Sequence, residues 1–328
     1  MTQNLILPWY EKLQNKVILI TGGTGSLGKA LTKELLLGNP RQIRIFSRDE
    51  AEQAVMREEL HDPRVDYLLG DVRDYDRLLL ALQGVDVVIH TAALKRIEKC
   101  ELDPEEAIKT NITGTINVAK SCLYNNVKSA IFISTDKATE PINLYGATKM
   151  TAEKYWIQAN VYRGRLHPTK FSVVRYGNVV GSTGSVLPMF KKQAKEDGII
   201  RITHRDMTRF FITLQQAVAL IQIAMEFSQG GEIYLPSLKS AFIVDLAKAV
   251  DEKAHIVYTS VGPGEKLHEQ LLNRAEINRV TLEEGYTIVH PENPTWPYKI
   301  PQIFAHTVSQ TSLDAEKYSF AELKDLIN

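Results

Sequence analysis

Short runs of apolar, β-branched residues alternate with longer stretches whose apolar positions recur every three or four residues, from about residue 16 to residue 180. Val17 to Ile20, Ile43 to Phe46, Val65 to Leu69, Val85 to His90, Ala130 to Ser134 and Phe171 to Arg175 read as buried strands. Helical stretches separate them: about Lys29 to Leu37, closed by Gly38 as a C′ glycine, then residues 74–83, 104–124 and 145–162. This alternation predicts an α/β fold, a Rossmann-like doubly wound parallel sheet. Ligands of such a sheet lie outside the carboxyl ends of its strands.

Beyond Gly181 the pattern loosens. An amphipathic helix over Ser185–Asp197, a short strand Ile199–Ile202, a helix from Thr213 to Gln229 before Gly230-Gly231, a strand Glu232–Leu235 and a helix Val244–Lys253 predict a smaller C-terminal α/β lobe. The expected division is a dinucleotide-binding domain over residues 1–180 and a substrate lobe with C-terminal tail over 181–328, interleaved at the boundary. Pro291, Pro294, Pro297 and Pro301 imply a segment that wraps the surface, and Ser319 with Glu322 forms a capping box opening a terminal helix.

Composition narrows the function classes. Lys+Arg and Asp+Glu number 39 each, so the net charge is zero and neither nucleic acid nor an anionic membrane is an expected partner. Two cysteines, Cys100 and Cys122, fit a reducing cytoplasm better than a disulfide framework. No stretch approaches the roughly 20 apolar residues of a membrane span. His204, His268 and His290 share no metal-like spacing and read as loop or surface residues, so no metal is expected.

The strand ends carry the candidate chemistry. After the first strand, Gly22, Gly25 and Gly28 fall in the order T-G-x-x-G-x-x-G before a helix. Gly22 permits the turn, Gly25 admits a pyrophosphate, Gly28 packs helix on strand, and Thr24, Ser26 and Leu27 complete the dinucleotide cradle. The second strand ends in Ser47 and Arg48 rather than an acid, which points to NADP, with Arg48 as a fork for the 2′-phosphate; otherwise Asp49 would serve NAD. Asp71, beside Val72, either accepts from the adenine amino group or caps the helix over 74–83. Thr91 and the small residues after it let the chain pass under the cofactor, and Lys95 is placed to reach a substrate phosphate or sugar. At the fifth strand end, Thr135, Asp136 and Lys137 present a hydroxyl, a carboxylate and an ammonium. The following helix places Tyr145 and Lys149 one turn apart on one face.

Taken together these residues resemble the extended short-chain dehydrogenase/reductases, whose motifs TGxxGxxG and YxxxK stand here at Thr21–Gly28 and Tyr145–Lys149. The strings STDKA (Ser134–Ala138), PINLYGATK (Pro141–Lys149), RYGNVVGS (Arg175–Ser182), MTRFFIT (Met207–Thr213) and PGEKLHE (Pro263–Glu269) are similar to those of the inverting UDP-N-acetylglucosamine 4,6-dehydratases. The resemblance implies that Tyr145, its pKa lowered by Lys149, takes the proton of the sugar 4-hydroxyl, to which Thr135 hydrogen-bonds. It further implies that Lys137 removes the C5 proton and Asp136 protonates the departing 6-hydroxyl. For that the Lys137 amine must be neutral, and burial beside Lys149 or Lys95 is the expected cause. Asn178 would touch the diphosphate, and Arg209 and Glu265 would anchor UDP. A homo-oligomer is implied as well. Thr183 and Gly262 stand where the resembled enzymes carry arginine, with Arg205 or Lys266 as candidate replacements.

Overall fold

Strand β1 (Val17–Thr21) is buried at all five positions, as a central parallel strand requires. It pairs in parallel with β2 (Gln42–Ser47) on one side and β4 (Val87–His90) on the other. Strand β3 (Val65–Leu69) continues outward from β2, and β5 (Ser129–Thr135) and β6 (Lys170–Tyr176) from β4. All six expected strands therefore run the same way in one sheet, and their carboxyl ends share one edge. The order reverses between β1 and β4, which opens a crevice there. The structure is a computed structural model that describes residues 7–164, 167–182, 184–302 and 311–327.

The two sheet faces are covered by different helices. On one face pack α1 (Leu7–Leu13), α2 (Ser26–Leu37), α3 (Glu50–Leu60) and α10 (Leu214–Phe227), whose buried residues join Ile18, Ile20 and Ile45. On the other lie α4 (Tyr75–Ala81), α7 (Gly114–Tyr124) and α8 (Leu144–Tyr162), with Trp156 against Phe132 and Phe171. Between β4 and α7 the chain forms α5 (Ile97–Leu102), α6 (Pro104–Ile108) and a π-helical turn, Lys109–Thr113.

The C-terminal half contributes to both parts of the molecule. Strand β10 (Ile233–Pro236) joins β6 in parallel, and β14 (Tyr286–Val289) and β13 (Val280–Glu283) extend that edge antiparallel. The smaller lobe holds β7 (Asn178–Val179), β9 (Thr208–Ile212) and β11 (Ser240–Phe242) in one sheet, and β8 (Ile199–Ile202) with β12 (His255–Tyr258) in another. Its core is closed by α9 (Val186–Asp197), α11 (Ile243–Val250) and α12 (Phe320–Ile327). Ser319 and Glu322 exchange the expected capping bonds. Only Gly177 separates β6 from β7, and a Cβ there would lie 2.6 Å from Phe210. The lobe thus begins directly at the carboxyl-end edge of the main sheet.

Three local expectations are corrected. Gly38 does end α2, but at φ −81; a Cβ would lie 2.7 Å from Leu13, so close packing of α1 requires the glycine, not a left-handed turn. Helix α4 is capped by Asp74, whose side chain accepts from the Arg77 amide at 2.9 Å, which leaves Asp71 free of that task. His290 is buried, 2.6 Å from both the Thr281 and the Tyr298 hydroxyls, and is no surface residue.

Candidate active site

The glycine turn has the geometry of a phosphate cradle. Gly22 takes φ +64 and would bring a Cβ to 2.9 Å from Ala92, so the strand-end loops of β1 and β4 nearly touch. A Cβ on Gly28 would stand 2.3 Å from the Gly23 carbonyl oxygen, whereas one on Gly25 would meet only Gly22 O, at 3.4 Å. Gly28 is therefore fixed by helix–turn packing, while Gly25 faces open space at the amino end of α2. Ser26 opens that helix and Leu27 packs against its core. The Thr24 hydroxyl donates to Glu52 at 2.7 Å, tying the turn to α3, and the Thr91 hydroxyl donates to Thr21 O at 2.7 Å.

At the adjoining strand tips, Ser47 Oγ accepts from Gln53 at 2.9 Å and Asp49 caps α3 by accepting from the Glu52 amide. Arg48 extends into solvent, with its nearest carboxylate, Asp71, at 3.8 Å. Asp71 itself is held by Arg73 at 2.6 Å, and Val72 is buried against Gly114.

The central constellation forms where β5 ends. Thr135 terminates the strand and opens a 3-10 turn over Asp136–Ala138. Its hydroxyl donates to Asp136 Oδ1 at 2.9 Å and is also bonded to Tyr145. Lys137 Nζ donates to the same Oδ1 at 3.0 Å and to Asn178 Oδ1 at 3.4 Å. Tyr145, Thr135, Asp136 and Lys137 thus form one continuous chain of hydrogen-bonding groups. Asn143 holds the approach to this site, capping α8 and donating to Gly264 O at 2.7 Å.

Sequence reasoning missed the carboxylate that completes the set. Glu269 lies 3.4 Å from Lys137 Nζ and 3.7 Å from Arg209 Nε, and it is almost fully buried. It ends the string PGEKLHE, but nothing local in that string reveals a partner 132 positions away. Asn111, in the π turn, was missed as well. It bonds both the amide and the carbonyl of Leu94, at 2.8 and 2.9 Å, and so fixes the loop after Thr91.

The electrostatics differ from expectation in two respects. Burial alone would depress the pKa of Lys137, but the facing charges are Asp136 and Glu269, and they hold it above the ordinary lysine value. The expected neighbouring cations Lys149 and Lys95 do not supply that environment. Burial pushes the Tyr145 hydroxyl up to about 12, against the pull of Lys137, which is the cation it faces. Lys149 turns instead to the Ile133 carbonyl at 2.6 Å, and burial lowers its pKa to about 7. Asp136 is raised, by burial first and by Glu269 as well, despite Lys137. A carboxyl whose affinity for a proton is raised, hydrogen-bonded to an ammonium, is a pairing that acid–base elimination can use.

The remaining candidates surround this centre. Arg209 is buried and donates to the carbonyls of Thr208, Lys266 and Leu267 at 2.7, 2.9 and 3.1 Å, so it braces the loop that carries Glu269. Glu265 accepts from the Gly262 amide at 3.1 Å, and Lys266 donates to Thr139 O at 2.6 Å. Lys95 is exposed, as is Arg205, while Thr183 lies outside the described residues. Among the described residues no group of three or more His, Cys, Asp or Glu is arranged to hold a metal ion.

The fold and the placement of both motifs at its crevice define an extended short-chain dehydrogenase/reductase. Residues 18–291 match the family described as polysaccharide biosynthesis protein, and the chain belongs to that family. It is 45% identical to the inverting UDP-N-acetylglucosamine 4,6-dehydratase of Campylobacter jejuni, over 84% of this chain and 83% of that one. It is 41% identical to a UDP-glucose 4-epimerase of Rickettsia bellii, over 80% and 79% of the two chains. Among solved structures, Pen from Bacillus thuringiensis superimposes with a TM-score of 0.88 at 36% identity, covering 96% of this chain and 97% of its own. A dTDP-glucose 4,6-dehydratase from Streptomyces venezuelae shares the fold at a TM-score of 0.68 and 20% identity, over 76% and 86% of the chains.

Proposed function

We propose that this chain is an NADP-dependent UDP-sugar 4,6-dehydratase that inverts C5, acting on UDP-N-acetylglucosamine in surface glycan synthesis. The observation that carries the reading is the adjacency of an amine and a carboxyl, Lys137 and Asp136, at 3.0 Å beside Tyr145. An epimerase needs proton transfer at C4 alone, whereas elimination of water across C5 and C6 needs a base and an acid together.

The cofactor fits the residues present: the open side of Gly25 and the amino end of α2 would hold the pyrophosphate. Arg48, with Asp49 already committed to a helix cap, would hold a 2′-phosphate, which supports NADP over NAD. When bound, the nicotinamide supplies the uptake of hydride from C4 and its return to C6. The chain does the rest. Thr135 orients the 4-hydroxyl and Tyr145 accepts its proton, with the cationic Lys137 opposing the burial that raises the tyrosine. With C4 a carbonyl, the C5 hydrogen is acidic and the C6 hydroxyl is a β leaving group. Transfer of a proton from Lys137 Nζ to Asp136 along their hydrogen bond creates the free amine and the carboxylic acid in one move. The amine then takes the C5 proton, and the acid delivers one to the leaving hydroxyl, which departs as water; with hydride returned to C6, C5 takes a proton on the opposite face, which completes the inversion. General acid–base help of this kind is typically worth about 10²–10⁴-fold. Asn178, Arg209, Glu265 and Lys95 are the candidates for holding the substrate. The exposed Leu102, Tyr124, Val161 and Tyr162 support a homo-oligomer.

The test is incubation with UDP-N-acetylglucosamine in deuterated water, followed by mass spectrometry and NMR. Loss of one water with deuterium at C5 is expected. An unchanged skeleton with altered C4 configuration would make the chain an epimerase and remove Lys137 from this role.

A further inference from the structure

Glu269 has no part in the mechanism above, yet it occupies the most constrained position in the site. Its Oε1 lies 3.4 Å from Lys137 Nζ, and its Oε2, like Asp136 Oδ2, is buried without a hydrogen-bond partner among the described residues. It reaches the site from the substrate lobe, on a loop bolted to the catalytic turn by Asn143 to Gly264 O and by Lys266 to Thr139 O. Ser312 fixes its backbone, its hydroxyl oxygen accepting from the Glu269 amide at 2.9 Å. A buried carboxylate is costly unless paired, and it is retained only where the surroundings compensate it.

We propose that Glu269 is a positioning residue for the acid–base pair: its buried charge holds Lys137 Nζ against Asp136 and sets the pH range in which that pair carries one shared proton. The groups that face it are Lys137 and Asp136 from the catalytic turn, Arg209 from β9 and Lys266 from its own loop, with Tyr145 beyond Lys137. His268, its neighbour in sequence, turns instead to the Thr208 hydroxyl at 2.8 Å. The three cations outweigh burial and keep Glu269 ionised. A fixed negative charge beside both members of the pair makes each of them harder to deprotonate. The two therefore move together, and the window between the loss of the first and second protons is displaced upward in pH without closing. Glu269 donates and accepts no proton in the reaction; it acts through Lys137.

The proposal rests on the dehydratase reading, and Glu269→Gln separates the two. The substitution keeps the shape and removes the charge. The expected result is a fall in kcat of at least about tenfold with a change in KM for the UDP-sugar below about threefold, and both limbs of the kcat–pH profile displaced to lower pH. A loss of kcat with unmoved limbs would reduce Glu269 to a structural brace, and a raised KM at full kcat would make it a substrate contact; either overturns the proposal, as does unaltered turnover. A second readout is independent of catalysis. In enzyme labelled with ¹³C at the aspartate carboxyls, with Asp136→Asn identifying the resonance, the Asp136 titration should move to lower pH in Glu269→Gln. An unmoved titration sinks the proposal even if the wild-type protein proves inactive on UDP-N-acetylglucosamine, and a moved one upholds it whatever the substrate.

Discussion

Lys149 donates from Nζ to the carbonyl oxygen of Ile133 at 2.6 Å, two residues before Thr135, which opens the 3-10 turn of Asp136 and Lys137. The bond pins α8 to β5, and the Phe132 ring lies beneath the amine, its centroid 3.7 Å away. This apolar seat explains why burial lowers the Lys149 pKa from 10.5 to about 7, against the opposing pull of Glu153.

The linkage gives a signed stability prediction. Between pH of about 7 and the ordinary lysine value, the unfolded chain holds a proton at Lys149 that the folded chain has released, so stability rises with pH across that window. Below it, both states are charged and the folded state bears the full burial penalty. Relative to wild type, cofactor-free Lys149→Met should therefore be at its most stable near about pH 6 and lose ground steadily towards about pH 9.5. Paired thermal melts across that range check it. A difference that stays flat with pH would mean that the amine titrates normally.

The glycine turn allows fold and ligand binding to be separated. Gly28→Ala forces a methyl group to 2.3 Å from a carbonyl oxygen and should prevent stable folding. Gly25→Ala meets nothing closer than 3.4 Å, so its melting temperature should change by the equivalent of about 1 kcal/mol or less. Its affinity for the dinucleotide should nevertheless fall at least about tenfold, because the methyl group occupies the approach to the helix amino end. Calorimetric titration with the cofactor, alongside melts without it, gives both numbers.

Arg48 tests the choice of cofactor. Its side chain is exposed and, among the described residues, makes one long ionic contact, 3.8 Å, to Asp71, so removing it should leave the fold undisturbed. If it binds a 2′-phosphate, Arg48→Ala forfeits charge-assisted bonds worth about 1.5–3 kcal/mol, or roughly 10–150-fold in affinity for NADPH. Affinity for NADH should hardly change. Equal losses for both dinucleotides would place Arg48 elsewhere in the binding site.

These outcomes turn on residues of unequal legibility. The strands were readable because a parallel strand buried on both faces must be apolar throughout, and Val17–Thr21 is. The turn of Gly22 to Gly28 and the pair Tyr145 and Lys149 were readable because one turn or one helical repeat fixes their spacing. Contacts across the fold leave no such local trace. Lys137 and Glu269 meet only because the smaller lobe folds back over β5. Whether Lys137 is surrounded by cations or carboxylates was therefore invisible in the chain. The π turn at Lys109–Thr113, which aims Asn111 at the Leu94 loop, has no compositional mark either. The alternative of Asp71 as a cap stayed open for the opposite reason: Asp74 offers an equally good capping residue three positions on, and only the path of the chain decides between them.

The last prediction concerns how the C-terminal half is fastened to α8. Arg175, at the end of β6, donates to Glu276 at 2.8 and 2.9 Å, to Leu271 O at 2.7 Å, and to both oxygens of Glu153 on α8. All three side chains are at most 4% exposed. One guanidinium thus joins the helix of Tyr145 and Lys149 to the segment just after Glu269. Removing one carboxylate should cost far more than the pair is worth, since it leaves buried charge uncompensated; Glu276→Ala should lose about 3–5 kcal/mol. Exchanging all three for apolar residues of similar volume should lose less than that single change. The Glu276 carboxyl is also held below its usual range by Arg175, burial notwithstanding, so its contribution is present above about pH 4.5 and fades as the pH falls. Urea unfolding of the single and triple variants at neutral and mildly acidic pH measures each term. A single variant as stable as wild type would show that the C-terminal segment is held by its apolar contacts alone, and that the arginine serves no fastening role.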